Sequence, residues 1–347
     1  MRFEQRGDLN DLEESIRSHQ EALRLRPAPH PNRSHSLNNL ANALSTRFGQ
    51  KGDLNDLEES IGFHQEALEL FSTPHPNRSD SLNNLASALS TRFEQMGDLN
   101  DLEESIKFHR EALELRPAPH LNRSSTLNNL AYALSIRFQH MGDLNDLEES
   151  IGFHQEALEL FPASHPNRSY SLNNLALALL TRFEQRGDLS DLDKSIGFHQ
   201  EALELRLAPH PNWSHSLNNL AYALSIRFHI SGDLNDLERS IEFHQEALEL
   251  FPVPHPNRSD SLNNLAVALS TRFRQRGVLN DLDESVRFHR EALELRPAPH
   301  PNQSQSLNNL AYALSIRFHQ SGELNDLEES IIFYQEALEL RPAPHPN

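Results

Sequence analysis

The chain has 347 residues, with 50 Asp and Glu against 31 Lys and Arg for a formal net charge of −19, and no cysteine. The acidic balance runs against nucleic acid, which draws basic stripes, and the lack of thiols excludes disulfides, thiolate metal sites and a cysteine nucleophile. A mean hydropathy of −0.62, with no apolar run near the ~20 residues a bilayer span needs, suits thin stacked layers with two wet faces.

Glycine sets a period. Gly7, Gly52, Gly97, Gly142, Gly187, Gly232, Gly277 and Gly322 are each 45 residues apart. Each opens a phrase typified by G-D-L-N-D-L-E-E-S-I-G-F-H-Q-E-A-L-E-L over residues 52–70. A second phrase, S-L-N-N-L-A-S-A-L-S-T-R-F over residues 81–93, precedes the next glycine. Almost nothing lies outside these phrases and their joints, so residues 1–347 read as a single repeat domain.

In chain order, Met1-Arg2-Phe3 stand where Thr-Arg-Phe stands late in the second phrase. The first predicted element is therefore a helix of type B after Gly7, without a partner before it. These residues form no secretory signal, which points to the cytoplasm. The second repeat typifies the rest. Its helix B carries the stripe Leu54, Leu57, Ile61, Ala67 and Leu68, flanked by Phe63, His64 and Leu70. Asp53 or Asn55 is the expected cap, and Asn55 with Glu58 has the spacing of a capping box. Asp56, Glu58 and Glu59 suit the positive end of the helix dipole. The joint Ser72-Thr73-Pro74-His75-Pro76 ends the helix, because proline cannot continue it. Helix A is predicted from Arg78 to Met96, with Leu82, Leu85, Ala86, Leu89 and Phe93 on one face. Asn77 is its expected cap, and Gly97 closes it in the left-handed conformation. The last element is the B helix after Gly322, and Pro346-Asn347 stand where a further helix A would begin. The expectation is all-α: an αα-hairpin superhelical solenoid of seven A/B helix pairs plus one unpaired N-terminal B helix. Its ends imply either a piece of a longer protein or cover by end-to-end self-association.

Ala86, Leu89-Ser90, Phe93 and Gly97 fall at the spacings of the first helix of a tetratricopeptide (TPR) repeat, with alanine for its opening aromatic and serine for its small glycine. Leu102, Ser105, His109, Ala112 and Pro117 fall at those of the second helix. The extra residues Leu99-Asn100-Asp101 and a longer joint extend the usual 34-residue unit. The chain thus resembles an elongated TPR over nearly its whole length. The L-N-N-L-A and H-P motifs resemble kinesin-light-chain-type TPRs. The G-D-L-x-D-L-[ED] phrase resembles arrays of bacterial and fungal proteins, often coupled to a caspase-like CHAT domain or a signalling NTPase domain. The chain has no CHAT-like segment and no G-x-x-x-x-G-K-[ST] loop, so an effector of that kind would lie elsewhere. The resemblance implies a scaffold for a protein or peptide ligand rather than an enzyme, with no cofactor, no metal, no nucleic acid and no membrane.

By the same resemblance, ligand lies along a concave surface lined by helix A. Each helix A carries an Asn pair whose second members are Asn39, Asn84, Asn129, Asn174, Asn219, Asn264 and Asn309. Asparagine inside a helix costs up to ~0.7 kcal/mol against alanine, so the pairs need compensating contacts. Two readings stand: an inter-repeat hydrogen-bond ladder, or carboxamides that hold a peptide backbone as in kinesin light chain. One member of each pair is open to each role.

The residue after L-N-N-L-A varies as Asn42, Ser87, Tyr132, Leu177, Tyr222, Val267 and Tyr312. Each tyrosine travels with an isoleucine one turn on, at Ile136, Ile226 and Ile316. The end of helix B alternates Arg26, Phe71, Arg116, Phe161, Arg206, Phe251 and Arg296, a 90-residue double repeat. Tyr132, Tyr222 and Tyr312 with their isoleucines are groove candidates, against a reading of compensatory packing between Tyr/Ile and Arg/Phe layers. Glu94, Gln139, Glu184, His229, Arg274 and His319 vary in charge late in helix A. The constant arginines Arg47, Arg92, Arg137, Arg182, Arg227, Arg272 and Arg317 are expected to pair with helix B acids. Histidines recur in joints and in helix B, spaced by whole layers, which suits packing rather than zinc, whose ligands converge on one point. The sequon Asn77-Arg78-Ser79 and its copies read as helix starts.

Overall fold

The computed structural model describes residues 9–71, 75, 77–162, 165, 167–205, 213–250, 258–296 and 302–340. Two compact units make up the chain, Met1–Asn167 and Arg168–Asn347. The first holds α1 (Leu9–Arg24), α2 (Arg33–Lys51), α3 (Leu54–Leu70), α4 (Arg78–Met96), α5 (Leu99–Glu114), α6 (Arg123–Met141) and α7 (Leu144–Leu160). The second holds α8 (Arg168–Arg186), α9 (Leu189–Glu204), α10 (Trp213–Ser231), α11 (Leu234–Leu250), α12 (Arg258–Arg276), α13 (Leu279–Glu294), α14 (Gln303–Ser321) and α15 (Leu324–Glu339). Among the described residues the even-numbered helices are the seven A helices and the odd-numbered ones the eight B helices, with α1 the unpaired B helix expected. Within each unit an A helix packs along the B helix that follows it, a B helix packs on the next A, and successive A helices touch.

The stripe of α4 explains this stacking. Leu82, Leu85, Ala86, Leu89 and Phe93 are all at most 2% exposed. Phe93 of α4, Leu102 and Ile106 of α5, and Leu130, Leu134 and Ile136 of α6 form one cluster. Closing that core takes helices from two repeats, and each leucine buried there contributes ~1.5–3 kcal/mol. The second unit repeats the pattern with Leu180 of α8, Leu192 and Ile196 of α9, and Leu220 and Leu224 of α10.

The helix ends depart from expectation in three places. Gly97 closes α4 as expected, with φ 75° and its N–H on the Phe93 carbonyl at 2.7 Å. Asn77, however, makes no side-chain cap of α4; the His75 ring nitrogen Nδ1 instead accepts the Asn77 N–H at 3.1 Å. The joint histidine fixes the backbone of the residue before the helix rather than capping its first turn, and His30, His120 and His165 do the same for Asn32, Asn122 and Asn167. At α3, Asp53 is the cap, accepting from the Asn55 N–H at 3.0 Å. Asn55 and Glu58 form no capping box, because the Asn55 amide also turns to Asp53 and Glu58 is engaged by Arg92 of the next repeat. Leu54 stands at the first residue of α3, before the buried face begins, and is 44% exposed, whereas His64 is buried.

Candidate functional site

The Asn pairs divide by position. The first member turns toward its own hairpin's B helix: Asn38 Oδ1 lies 2.9 Å from His64 Nδ1, Asn128 2.9 Å from His154, Asn173 3.0 Å from His199, Asn218 2.9 Å from His244, and Asn263 3.1 Å from His289. Among the described residues two layers lack the pair: opposite Asn308 the B helix carries Tyr334 in place of histidine, and in the layer of Asn83 the bond is not made. Asn83 Oδ1 accepts from Asn129, and His109 Nδ1 is buried without a partner.

The second members sit on the open side of the A layer, Asn39 exposed and the others half-buried. Asn84 donates to Asn42 at 3.2 Å, Asn129 to Ser87 at 3.3 Å, and Asn309 to Asn263 at 3.2 Å, each reaching the preceding A helix. Asn39, Asn219 and Asn264 have no hydrogen-bond partner among the described residues, nor does the Asn174 amide nitrogen. In the first unit these carboxamides line a cavity of about 400 Å³ with Asn38, Asn39, Asn42, Asn77, Asn83, Asn84 and Asn122 on its wall, joined by His35, Asp80 and Arg116. Its one ion pair is internal: Arg116, 2% exposed, is held by Asp80 of α4 and Thr126 of α6. The cavity is therefore rich in neutral donors and acceptors rather than in net charge.

The tyrosines stand on the same open side. Tyr132 and Tyr222 are 41% exposed and Tyr312 44%. Tyr132 donates to Glu94 at 2.6 Å and Tyr222 to Glu184 at 3.1 Å, while Tyr312 accepts from Arg274 at 3.0 Å. The variable residues late in helix A are thus the partners of the tyrosines in the next repeat. Burial, with Glu184 adding to it, pushes the Tyr222 hydroxyl up to about 12. The isoleucines turn inward: Ile136 is in the α4–α6 core cluster, Ile226 packs against the α8–α10 cluster, and Ile316 is half-buried.

A tetratricopeptide repeat family model matches seven consecutive segments of this helical array: residues 34–77, 78–120, 123–167, 169–212, 213–257, 258–302 and 304–347. The chain is a tetratricopeptide repeat protein. A search of curated proteins finds no significant match. Among solved structures, human IFIT1, a dimer with PPP-AAAA, is similar at a TM-score of 0.51 and 15% identity over 95% of this chain and 68% of its own. BtubC (BKLC) of P. vanneervenii is similar at 0.47 and 18% identity over 70% and 88%. A putative kinesin light chain of Podospora anserina with nearly identical TPR-like repeats gives 0.45 and 17% over 63% and 98%. These are likenesses of fold.

Within the TPR frame the constant arginines are structural. Arg92 bonds both carboxylate oxygens of Asp101 at 2.6 and 2.7 Å and reaches Glu58 of the preceding repeat at 2.9 Å. Arg47, Arg137, Arg227, Arg272 and Arg317 repeat the arrangement, and Arg182 holds Asp191 likewise. The Asp101 bond holds Arg92 above its ordinary value, so its donors are committed. In the alternating layer Phe71, Arg116, Phe161 and Arg296 are buried and Arg26 is half-buried. Arg296 is held by Asp260 and Ser306; Arg206 and Phe251 lie outside the described residues.

Sequence reasoning missed Asp80 and Arg116 as cavity residues. The signal was present: the same 36-residue spacing recurs at Asp260 and Arg296.

Proposed function

We propose that this TPR array is a scaffold that holds an extended peptide or protein segment on the open side of its A helices. In this reading Asn39, Asn84, Asn129, Asn174, Asn219, Asn264 and Asn309 contact the ligand backbone, while Tyr132, Tyr222 and Tyr312 grip its side chains. The observation that carries it is the row of solvent-facing carboxamides, of which Asn39, Asn219, Asn264 and the Asn174 amide nitrogen have no side-chain partner among the described residues. Asparagine is unfavourable inside a helix by up to ~0.7 kcal/mol unless something compensates, and paired donors and acceptors are what a peptide backbone requires. The family supports the scaffold role, and cytoplasmic sensing or adaptor duty within a larger signalling protein fits it. No helix among the described residues is long and apolar enough to cross a membrane.

Selection of peptides from a random library on the purified chain tests the reading. Selected peptides should lose at least tenfold in affinity on Asn219→Ala with Asn264→Ala while helicity is unchanged. Peptides indifferent to every A-helix substitution would defeat it. A second reading, self-association through α15, draws on its exposed Ile331, Ile332 and Leu338 at 48%, 50% and 70%. Sedimentation that stays monomeric at all concentrations would remove it.

A further inference from the structure

The open side of the A layer differs between the two units. After L-N-N-L-A the first unit carries Asn42, Ser87 and Tyr132, whereas the second carries Leu177, Tyr222, Val267 and Tyr312. Leu177 is 41% exposed, as is Tyr222, and Tyr312 is 44% exposed; Val267 is half-buried. The second unit therefore displays an apolar residue on each of α8, α10, α12 and α14. Both tyrosine hydroxyls are bonded to the preceding A helix, through Glu184 and Arg274. Ring orientation is set before any ligand arrives, and the rings offer mainly aromatic surface at little entropic cost.

The spacing of this ladder selects a backbone. Successive A helices in the unit touch, and packed helices lie ~8–10 Å apart. A β-strand returns a side chain to the same face every second residue, about 6.6 Å, and loses register within one repeat. A polyproline II helix returns one every third residue, about 9.3 Å, which falls within that spacing.

We infer, building on the peptide-scaffold reading above, that Leu177, Tyr222, Val267 and Tyr312 dock a proline-rich segment in the polyproline II conformation with an apolar residue at every third position. Aromatic ladders suit such ligands because the segment arrives already ordered. The flanking charges specify it further. Glu184 on α8 and Arg274 on α12 are both exposed and lie two A-helix steps apart, roughly 16–20 Å. That span equals about six polyproline II residues. The fitting ligand carries a basic side chain over α8 and an acidic one six positions away over α12.

Fluorescence polarisation with the full chain tests this. The probe is a fluorescein-labelled peptide of four Leu-Pro-Pro triplets; the controls are the same composition with its leucines in one block and an alternating Val-Thr strand former. The triplet peptide should bind at least tenfold tighter than either control. Tyr222→Ala with Tyr312→Ala should weaken it at least tenfold. Should the double variant unfold, Tyr222→Phe keeps the ring and should retain affinity within about threefold. Equal affinity for the blocked or strand-forming control overturns the inference, as does indifference to the ladder substitutions. If library peptides still bind the A helices while the triplet peptide does not, the polyproline inference fails and the scaffold reading stands.

Discussion

His154 Nδ1 lies 2.9 Å from Asn128 Oδ1 in the buried seam between α6 and α7. The bond requires the tautomer with the proton on Nδ1, and burial pushes the imidazole down to about 3. His109, His199, His244 and His289 are also pushed to about 3, and His64 to about 4, burial being the leading cause in each. All six are thus neutral in the folded chain at pH 7.

Acid should therefore unfold this protein early. Between the unfolded value near 6.5 and the folded value near 3, the unfolded chain binds protons that the folded chain refuses. Stability from these groups is full above about pH 6.5 and falls as pH drops through that window. Each histidine contributes a slope of up to about 1.4 kcal/mol per pH unit, so six acting together produce a steep loss. Urea midpoints followed by circular dichroism should fall sharply from pH 7 to pH 5. A flat midpoint over that range would show that the seams are not dry.

The arginine bridges should be lopsided. Asp101 is buried, its side chain 6% exposed, whereas Glu58 is 51% exposed. Removing the partner of a buried charge costs several kcal/mol, while an exposed pair contributes ~0–1 kcal/mol. Arg92→Ala should cost about 2–3 kcal/mol, discounted because Arg92 itself is 23% exposed. Glu58→Gln should cost less than about 1 kcal/mol. A double-mutant cycle over Arg92 and Asp101 measures the coupling, and a value near zero would remove the bridge from the stability argument.

The α4–α5 corner separates backbone strain from packing. Gly97 sits at φ 75°, yet a Cβ there would meet nothing within 4 Å. Gly97→Ala should therefore cost only the left-handed penalty of about 1–2 kcal/mol. Asp98→Ala, which removes the α5 cap bonded to the Asn100 N–H at 3.0 Å, should cost about 1 kcal/mol. Thermal midpoints of the two variants test the estimate, and a much larger Gly97 effect would mean the turn is packed by something else.

The helices were legible because their signals are local. The Leu82-to-Phe93 stripe and Gly97 define α4 from Arg78 to Met96, the bounds expected from sequence. The entry into helix A was not legible: His75 and Asn77 both suit a turn, and only the chain's path shows that the histidine ring accepts the Asn77 N–H while the Asn77 side chain makes no cap. The cavity was less legible still, since Asp80 and Arg116 meet across a repeat boundary. Inter-repeat register, which periodicity alone does not carry, decides such contacts. The tyrosine partners Glu94, Glu184 and Arg274 illustrate the same limit: their variation was visible, but not that they vary with the residue they hold.

The adjacent asparagines of α10 allow the two roles of the pair to be separated in one experiment. Asn218 lies 2.9 Å from His244, which is almost fully buried. Asn218→Ala leaves that ring nitrogen unpaired and should cost about 1–3 kcal/mol. Asn219 has no hydrogen-bond partner among the described residues, so Asn219→Ala removes no internal bond and improves helix propensity by up to ~0.7 kcal/mol. The expected result is a destabilised Asn218→Ala chain and an Asn219→Ala chain that is as stable as the parent or more so, with weakened peptide binding only in the second at temperatures where both are folded. Equal loss of stability in both variants would place Asn219 in the internal ladder, and with it the role of the open carboxamide row would pass from recognition to packing.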